Sequence, residues 1–456
     1  MSRRVVAKFG GTSVKTEAAI LRIVKILEKN PDIKFVVVSA LGGITNLLIE
    51  LCNVKDESCR NSIIKDIFNM HLELANALGL SIGERLSHEI QRLHKMCAGG
   101  DLNPEMIDNI VSLGEDLSSI IIHAYFVSKG MDAAYIDARD YLITDNNFGK
   151  AIPDLDRIKQ YKFPSGLCIT QGFIGSTLEK QTTTLGRGGS DYTAALIAEG
   201  INADELLIYT DVPGVYTMDP NIIREAKLIP EVSFHEMAEM ANFGAKIVHP
   251  ATLEPCMRGK VPIRVLSSFE FEKPGTVINV TEENKKNSPN IKAITMRPSQ
   301  VLVTIKSLKM LNAHGFIARI FDVLANHKIS VDLITTSEVS VALTTDTISS
   351  GSHGVNPFIK NQSLLRDLEK FATVIIEENL TLVAVIGSGL TIPGVIQKTL
   401  SAIEPYMVRL VCYGASNSNI GILVPKDNAL NIVKILHRHL LENAQYGMVI
   451  ASNNSY

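Results

Sequence analysis

The chain has 456 residues, enough for two to three domains and a sizeable buried core. Its 45 basic and 48 acidic residues leave a net charge of -3 and are mixed along the sequence, which argues against a nucleic acid or an anionic membrane surface as partner. No run approaches the roughly 18 apolar residues that a bilayer span requires, and the cysteines (Cys52, Cys59, Cys97, Cys168, Cys256, Cys412) lack CxxC or ligand-like spacing. They read as reduced, mostly buried small hydrophobes of a cytoplasmic protein.

Met1-Ser2-Arg3-Arg4 is basic but runs directly into a short β-rich stretch, not into a signal-peptide core. Next comes the glycine loop Lys8-Phe9-Gly10-Gly11-Thr12-Ser13, and then Ala18 to Glu28, whose apolar positions repeat at helical spacing before Pro31. Strand, glycine turn and helix give the context a phosphate loop needs, with a lysine and backbone N–H groups facing a polyphosphate. The loop is neither GxxxxGK[ST] nor GxGxxG, and alone it also fits an ordinary βα turn with an edge lysine.

Lys34 to Ser39 reads as a second strand, and Ser39-Ala40-Leu41-Gly42-Gly43-Ile44-Thr45-Asn46 as the loop and helix start that follow it. Helical patterns cover Glu84 to Met96 and Glu105 to Ser128, the latter stopped by Gly130. Glu115, beside Gly114, lies inside the second of these, where pattern alone suggests a solvated side chain. Ala133 to Asp137, Leu167 to Phe173 and Glu205 to Thr210 are further short apolar strands.

Between the last two lies Thr182-Thr183-Thr184-Leu185-Gly186-Arg187-Gly188-Gly189-Ser190-Asp191, leading into a helix over Asp191 to Ala198. Ser190 and Asp191 suit the N-cap and first turn, the glycines allow close approach of backbone to ligand, and Arg187 offers a fork of donors to an anion. Gly-rich strand-to-helix turns are common, so this loop draws its force from the one at residues 8–13. Thr210-Asp211-Val212-Pro213-Gly214 reads as a tight turn. His235-Glu236-x-x-Glu239 lacks HExxH spacing and fits the polar face of an amphipathic helix better than a metal site.

The alternation argues for an α/β domain, an open, mainly parallel sheet with helices on both faces, over residues 1–285. Ligands of such sheets sit beyond the carboxyl ends of the strands, where Lys8, Ser39, Thr210 and Asp211 fall. The polar stretch Thr281 to Asn290 marks the boundary. Beyond it a weak βαββαβ repeat appears: strand 301–306, helix 315–327, strands 329–336 and 339–344, helix 362–371 and strand 373–378. A second unit begins at Leu382 to Ile386, with a helix at 394–404, strands at 406–413 and 419–424, and a final helix over 428–440.

The blocks Lys8 to Val14, Thr170-Gln171-Gly172-Phe173-Ile174-Gly175, 182–191, Thr210 to Tyr216 and Phe243-Gly244-Ala245-Lys246 resemble, in order, the signature blocks of the aspartokinase family within the amino-acid kinase superfamily. The match is nearest to its lysine-sensitive, single-function branch. The C-terminal pair resembles tandem α+β ACT domains: 301–380 as the first, inserted in a second made of 291–300 and 381–443, with 444–456 an unassigned tail. No dinucleotide fingerprint follows residue 300, so no fused homoserine dehydrogenase is expected.

The resemblance implies transfer of phosphoryl from ATP, with Mg2+ held mainly by its phosphates, to L-aspartate, giving 4-phospho-L-aspartate, the first step of lysine, threonine and methionine biosynthesis. It implies Lys8, Gly10 and Gly11 at the transferring phosphoryl group, with Lys8, Arg187 and Asp191 as the catalytic set. The amino acid would meet Ser39, Thr45, Glu115 (its ammonium partner), Arg187, Gly188, Gly189 and Ser190. The nucleotide would meet Thr210, Asp211, Tyr216, Asn221 and Lys246, with Asn221 standing where close relatives usually carry arginine. No metal ligand of the protein's own is implied.

A carboxylate of pKa near ~3.9 is ionised at neutral pH, so the attacking oxygen needs no general base. Positioning and cations are then the catalytic resources. For the effector, the resemblance implies a lysine site from Met310, Ala313, Phe316, Ile317, Val331, Asp332, Ser337 and Glu338. Gly315-Phe316-Ile317 opens a helix with free N–H groups, and Asp332 and Glu338 supply two negative charges for two ammonium groups. Asn312 and Ala313 stand where close relatives tend to carry histidine and serine. A homodimer through the ACT region is expected by analogy. Two other readings remain: a relative with another carboxylate substrate, and a non-catalytic ACT amino-acid sensor.

Overall fold

The structure is a computed structural model that describes residues 3–98, 101–245, 247–280, 291–311, 313–346 and 357–442. The expected boundary at 281–290, the tail after 443, Lys246 and Asn312 lie outside the described residues. Two compact units are present. One holds residues 1–215, 228–237 and 246–283, and the other holds 216–227, 238–245 and 284–456. Segments 216–227 and 238–245, read from sequence as part of the first region, therefore cluster with the second.

The first unit is built on β1 (Val5–Phe9), β2 (Ile33–Val38), β3 (Ala133–Ile136), β4 (Leu167–Gln171), β5 (Ile174–Ser176), β6 (Thr182–Thr184), β7 (Glu205–Thr210), β8 (Glu231–Ser233), β9 (Ile263–Ser267) and β10 (Thr276–Asn279). Eight of them form one sheet in the order β3-β4-β2-β1-β7-β9-β10-β8, parallel except where β10 meets β9, while β5 and β6 pair separately. β1 lies in the middle, and its alternation sorts its side chains. Val5, Ala7 and Phe9 enter the apolar core that includes Ile20, Leu48, Leu113 and Phe126. Lys8 points to the opposite face, where helix Gly189–Gly200 packs on β1.

Helix Pro104–Ser128 is, by length and mean composition alone, long and apolar enough to cross a bilayer, although polar residues interrupt every apolar run in it. It is a core helix: 83% of its most apolar window is buried inside the unit. Asn103 caps it by accepting from Met106 N at 2.8 Å, and Pro104 occupies its first turn, where a missing N–H costs nothing. Gly114 lets it approach the 39–48 element. A Cβ there would lie 2.8 Å from Ala40 Cβ and 3.3 Å from Ile44 Cγ2.

The second unit carries one six-stranded antiparallel sheet: β11 (Ala293–Lys306), β12 (Leu333–Thr336), β13 (Ser340–Asp346), β14 (Thr373–Ile386), β15 (Leu410–Cys412) and β16 (Asn419–Pro425), in the order β12-β13-β11-β14-β16-β15. The sequence suggests separate strands at 291–296 and 301–306, and at 373–378 and 382–386. Each pair is instead one 14-residue strand running through both halves of the sheet. The register of β11 on β14 shifts between Arg297 and Leu302, and Ser299 and Asn379 adopt positive φ of 60° and 59°. Such a bulge inserts residues and turns the strand without ending it. Two apolar clusters result, one around Val303, Ile320, Leu343 and Leu368, the other around Ile294, Val385, Ile422 and Val433.

Candidate active site

The carboxyl ends of β1, β2, β4 and β7 each open into a loop of small residues. Gly11 and Gly42 stand back to back: Gly42 N donates to Gly11 O at 3.0 Å, and a Cβ on Gly11 would meet Ala40 O at 3.0 Å. Ser39 N donates to Phe9 O at 3.2 Å, and Gly10 N to Tyr209 O at 3.1 Å, so the loops after β1, β2 and β7 are bonded to one another. Gly172, after β4, leaves room for Ser190, whose Cβ would sit 2.5 Å from a Cβ at 172.

Lys8 Nζ lies 2.6 Å from Asp191 Oδ1, with the two side chains 11% and 15% exposed. Asp191 is in the first turn of helix Gly189–Gly200, whose N-cap, Gly188, has φ 75°. A Cβ on Gly188 would collide with His249 Cβ at 2.5 Å, which explains glycine there on two counts. Burial holds the His249 imidazole below its usual pKa, with the charge of Asp191 opposing the shift and those of Arg187 and Lys150 adding to it. Arg187 is exposed at the loop tip, while Ser190 is buried.

Glu115 is the residue whose sequence pattern misleads most. It is 3% exposed, not solvated. One oxygen accepts from Ala40 N at 3.1 Å, and the other, Oε2, is buried with no hydrogen-bond partner. Burial pushes its carboxyl up to about 8, further raised by Asp116 and eased by the Ala40 N–H and by the charge of Lys8. A buried carboxyl with one orphaned oxygen is suited to receive a cationic or hydrogen-bond-donating group. Thr45 is half-buried on the first turn of helix Ile44–Asn53, and Ser39 O accepts from Ser118 Oγ at 2.8 Å.

The structure thus brings Lys8, Gly10, Gly11, Ser39 and Glu115 together around the β1 and β2 loops, and joins Asp191 to Lys8. Arg187, Gly188, Gly189 and Ser190 form one adjoining loop. Thr210 and Asp211 close β7, their side chains bonded at 3.1 Å. Tyr216 and Asn221 belong to the second unit, where Asn221 folds onto Asp219 Oδ1 through its N–H at 2.8 Å and its amide at 3.0 Å. In helix Phe234–Asn242, Glu236 accepts from Ser233 N at 2.9 Å and Ser233 Oγ accepts from Glu236 N at 3.1 Å. That reciprocal capping box gives the His235 motif a structural purpose.

Sequence reading missed the polar seam between helix Pro104–Ser128 and β6. Arg139, reached from a short helix after β3, holds Asp116 with two bonds (3.0 and 2.8 Å) and Thr182 Oγ1 at 3.0 Å. The only trace of this in the sequence is a helix face carrying polar residues at 105, 108, 112, 115 and 116 amid apolar neighbours.

In the second unit a cavity of about 310 Å³ is lined by Met310, Leu311, Ala313, Gly315, Phe316, Ile317, Ala318 and Glu338. It sits at the start of helix Phe316–Asn326, whose N-cap Gly315 has φ 78°. Five of the eight residues read as an effector site line it. Val331, Asp332 and Ser337 do not: Asp332 pairs with Arg297 at 3.3 Å, and Ser337 Oγ bonds Ser340 Oγ at 2.7 Å.

Comparison with known proteins places this architecture. Residues 3–267 match the amino acid kinase family. Over 97% of its length and 100% of the relative's, the chain is 42% identical to the lysine-sensitive aspartokinase 3 of Escherichia coli. It superposes on E. coli aspartokinase III in complex with aspartate and ADP with a TM-score of 0.86, covering 96% of this chain and 100% of that one at 42% identity. For the same enzyme in complex with lysine and aspartate the TM-score is 0.79, at 41% identity over 96% and 99% of the two chains. The chain belongs to the amino acid kinase family and, within it, to the aspartokinases.

Proposed function

We propose that the chain transfers the γ-phosphoryl group of ATP to the side-chain carboxylate of L-aspartate, giving ADP and 4-phospho-L-aspartate, under feedback inhibition by L-lysine. The observation that carries the reading is the Lys8–Asp191 pair, set among glycine loops at the carboxyl end of a parallel sheet. Support comes from similarity, end to end, to an aspartokinase whose structures hold aspartate, ADP and lysine.

In the reaction, an ionised carboxylate oxygen forms the new bond to phosphorus, and the bond to the β–γ bridging oxygen breaks, its electron pair leaving with ADP. No proton need be removed from the nucleophile. The chain contributes position and charge. Lys8, held in place by Asp191, meets the charge on the transferring oxygens, and Gly10 and Gly11 keep that loop clear of side chains. Glu115 takes the substrate's ammonium group on its unpartnered oxygen. Arg187, Gly188, Gly189 and Ser190 take its α-carboxylate, with Ser39 and Thr45 beside it. Thr210, Asp211, Tyr216, Asn221 and Lys246 serve the nucleotide, and Mg2+ arrives as part of MgATP, held mainly by phosphate oxygens.

The cavity at residues 310–318 is assigned to lysine, with the N–H groups at the start of helix Phe316–Asn326 for its carboxylate and Glu338 for an ammonium group. Val331, Asp332 and Ser337 stay in the effector set on the expectation that two chains pair through this ACT region as a homodimer. Residues 301–380 are assigned to one ACT domain inserted in another, and the cytoplasm is the proposed location. An ATP-dependent hydroxamate assay with aspartate and glutamate side by side tests the activity. Product with aspartate alone is expected. Product with glutamate instead, or with neither, overturns the reading.

A further inference from the structure

Of the three buried carboxylates on helix Pro104–Ser128, Asp108 and Glu115 are seven residues apart, hence on one face and two turns, ~10 Å, from each other, while Asp116 pairs with Arg139. Glu115 belongs to the β1–β2 end of the site. Asp108 is 1% exposed and touches nothing assigned to substrate, yet both its oxygens are engaged. Oδ2 takes Thr184 N at 2.8 Å and Gly149 N at 2.9 Å, and Oδ1 takes Thr184 Oγ1 at 2.9 Å. No cation is among these three partners: burial pushes the Asp108 carboxyl above its usual range, and the two N–H groups and the hydroxyl oppose that by favouring the charged form.

The residues it holds are the two sides of the base of the Arg187 loop. Thr184 ends β6, two residues before Gly186, and Gly149 O lies 3.0 Å from where a Cβ of Gly186 would stand. Ala151 N closes the same corner by donating to Thr184 O at 3.0 Å. Two more bridges tie the helix to this strand: Gln181 Nε2 to Glu105 Oε2 at 2.9 Å, and Arg139 from Thr182 to Asp116 and Ser112. The loop beyond is glycine on both sides of Arg187, with φ of 76° at Gly186 and 75° at Gly188, so its own backbone does little to hold the arginine in place.

We propose that Asp108 is a positioning residue: by fixing the root of the Arg187 loop to the helix that carries Glu115, it sets the spacing between the α-carboxylate and ammonium receptors. This rests on the reading of Arg187 and Glu115 as those receptors. Asp108→Asn keeps the size but turns an amide N–H toward donors, so the loop root loses at least one bond and shifts. Displacement of a substrate-positioning group by about 1 Å costs up to ~100-fold.

The test measures initial rates for Asp108→Asn and Thr184→Val with aspartate and ATP varied separately, beside Arg187→Gln and the double variant Asp108→Asn/Arg187→Gln. The aspartate KM is expected to rise about 10-fold or more in Asp108→Asn, with the ATP KM and the kcat at saturating aspartate within roughly 3-fold. Thr184→Val, which removes only the hydroxyl donor, should move the same parameter by less, and it decides the matter if Asp108→Asn does not fold. The double variant should be no worse in aspartate KM than Arg187→Gln alone. An unchanged aspartate KM in both Asp108→Asn and Thr184→Val, equal changes in both KM values, or full additivity with Arg187→Gln would overturn the inference. Absence of aspartate phosphorylation by the parent chain would instead defeat the functional reading beneath it.

Discussion

The ammonium of Lys8 stands 2.6 Å from Asp191 Oδ1 because two unrelated local rules converge. Strand alternation sends Lys8 to the face of β1 that helix Gly189–Gly200 covers, and the first turn of that helix is where an acidic side chain is favoured. The pair is nearly dry, so each charge depends on the other. Asp191→Ala and Lys8→Ala should each lower Tm, and the double variant should be less destabilised than their sum, with a coupling on the order of 1–3 kcal/mol. In kinetics, Lys8→Ala should lower kcat by about 100-fold or more while changing the aspartate KM much less. Near-normal kcat would remove Lys8 from the chemistry.

Glu115 predicts a proton count. Its carboxyl ordinarily titrates near 4.5 but is raised to about 8, so the empty site is protonated at pH 7. Pairing with an ammonium group requires the ionised form, so aspartate binding at pH 7 should release a proton. Affinity should then improve as pH rises and level off above about 8. Titration calorimetry in two buffers of different ionisation enthalpy reads the release directly, and Glu115→Gln should abolish it along with the pH slope. Zero proton release by the parent chain would separate Glu115 from the ammonium.

His71 makes the chain acid-sensitive. The imidazole is fully buried in helix Glu57–Ala77, with Nδ1 2.7 Å from Ile67 O and Nε2 unpartnered, and burial lowers its pKa from 6.5 to about 4. A histidine depressed in the folded state binds its proton more readily when unfolded. Stability is therefore whole above about 6.5 and falls as pH drops toward 4, by on the order of 2–3 kcal/mol for a shift of this size. His71→Leu should flatten the dependence of Tm on pH over that window. An equal slope in parent and variant would place the acid sensitivity elsewhere.

Gly114 tests the seat of Glu115. A Cβ there lies 2.8 Å from Ala40 Cβ, so Gly114→Ala should wedge the helix from the β2 loop, cost about 1–3 kcal/mol and weaken kcat/KM for aspartate. Gly83→Ala is the control. Also helical, it would meet only Leu72 Cδ1 at 3.6 Å and should be neutral or stabilising by up to ~1 kcal/mol.

At the cavity of the second unit, Glu338→Ala should relieve inhibition by lysine and spare the uninhibited rate. Dose–response curves for lysine and threonine check both halves. Inhibition by threonine but not lysine, or an unchanged lysine curve in the variant, would sink the effector assignment.

Much of this was written into the chain locally. The Lys8 loop, the 182–191 loop, the helix from 104 to 128 and every strand at a carboxyl-end loop follow from periodicity, capping and glycine placement, which act over a few residues. Four-residue context also explains Gly186 and Gly188, since their positive φ is a local demand. Glu115 was legible only through resemblance. Its environment is made by Ala40 reaching Glu115 across 75 positions of sequence and packing on Gly114, and desolvation depends on what packs overhead, not on neighbours in the chain. The same holds for Asp108 reaching Thr184 and for the two C-terminal halves sharing one sheet, because a bulge looks like a strand end until its partner strand is in place. Hydrogen-bond geometry and burial are properties of the assembled fold, so pairing across long separations had to wait for tertiary structure.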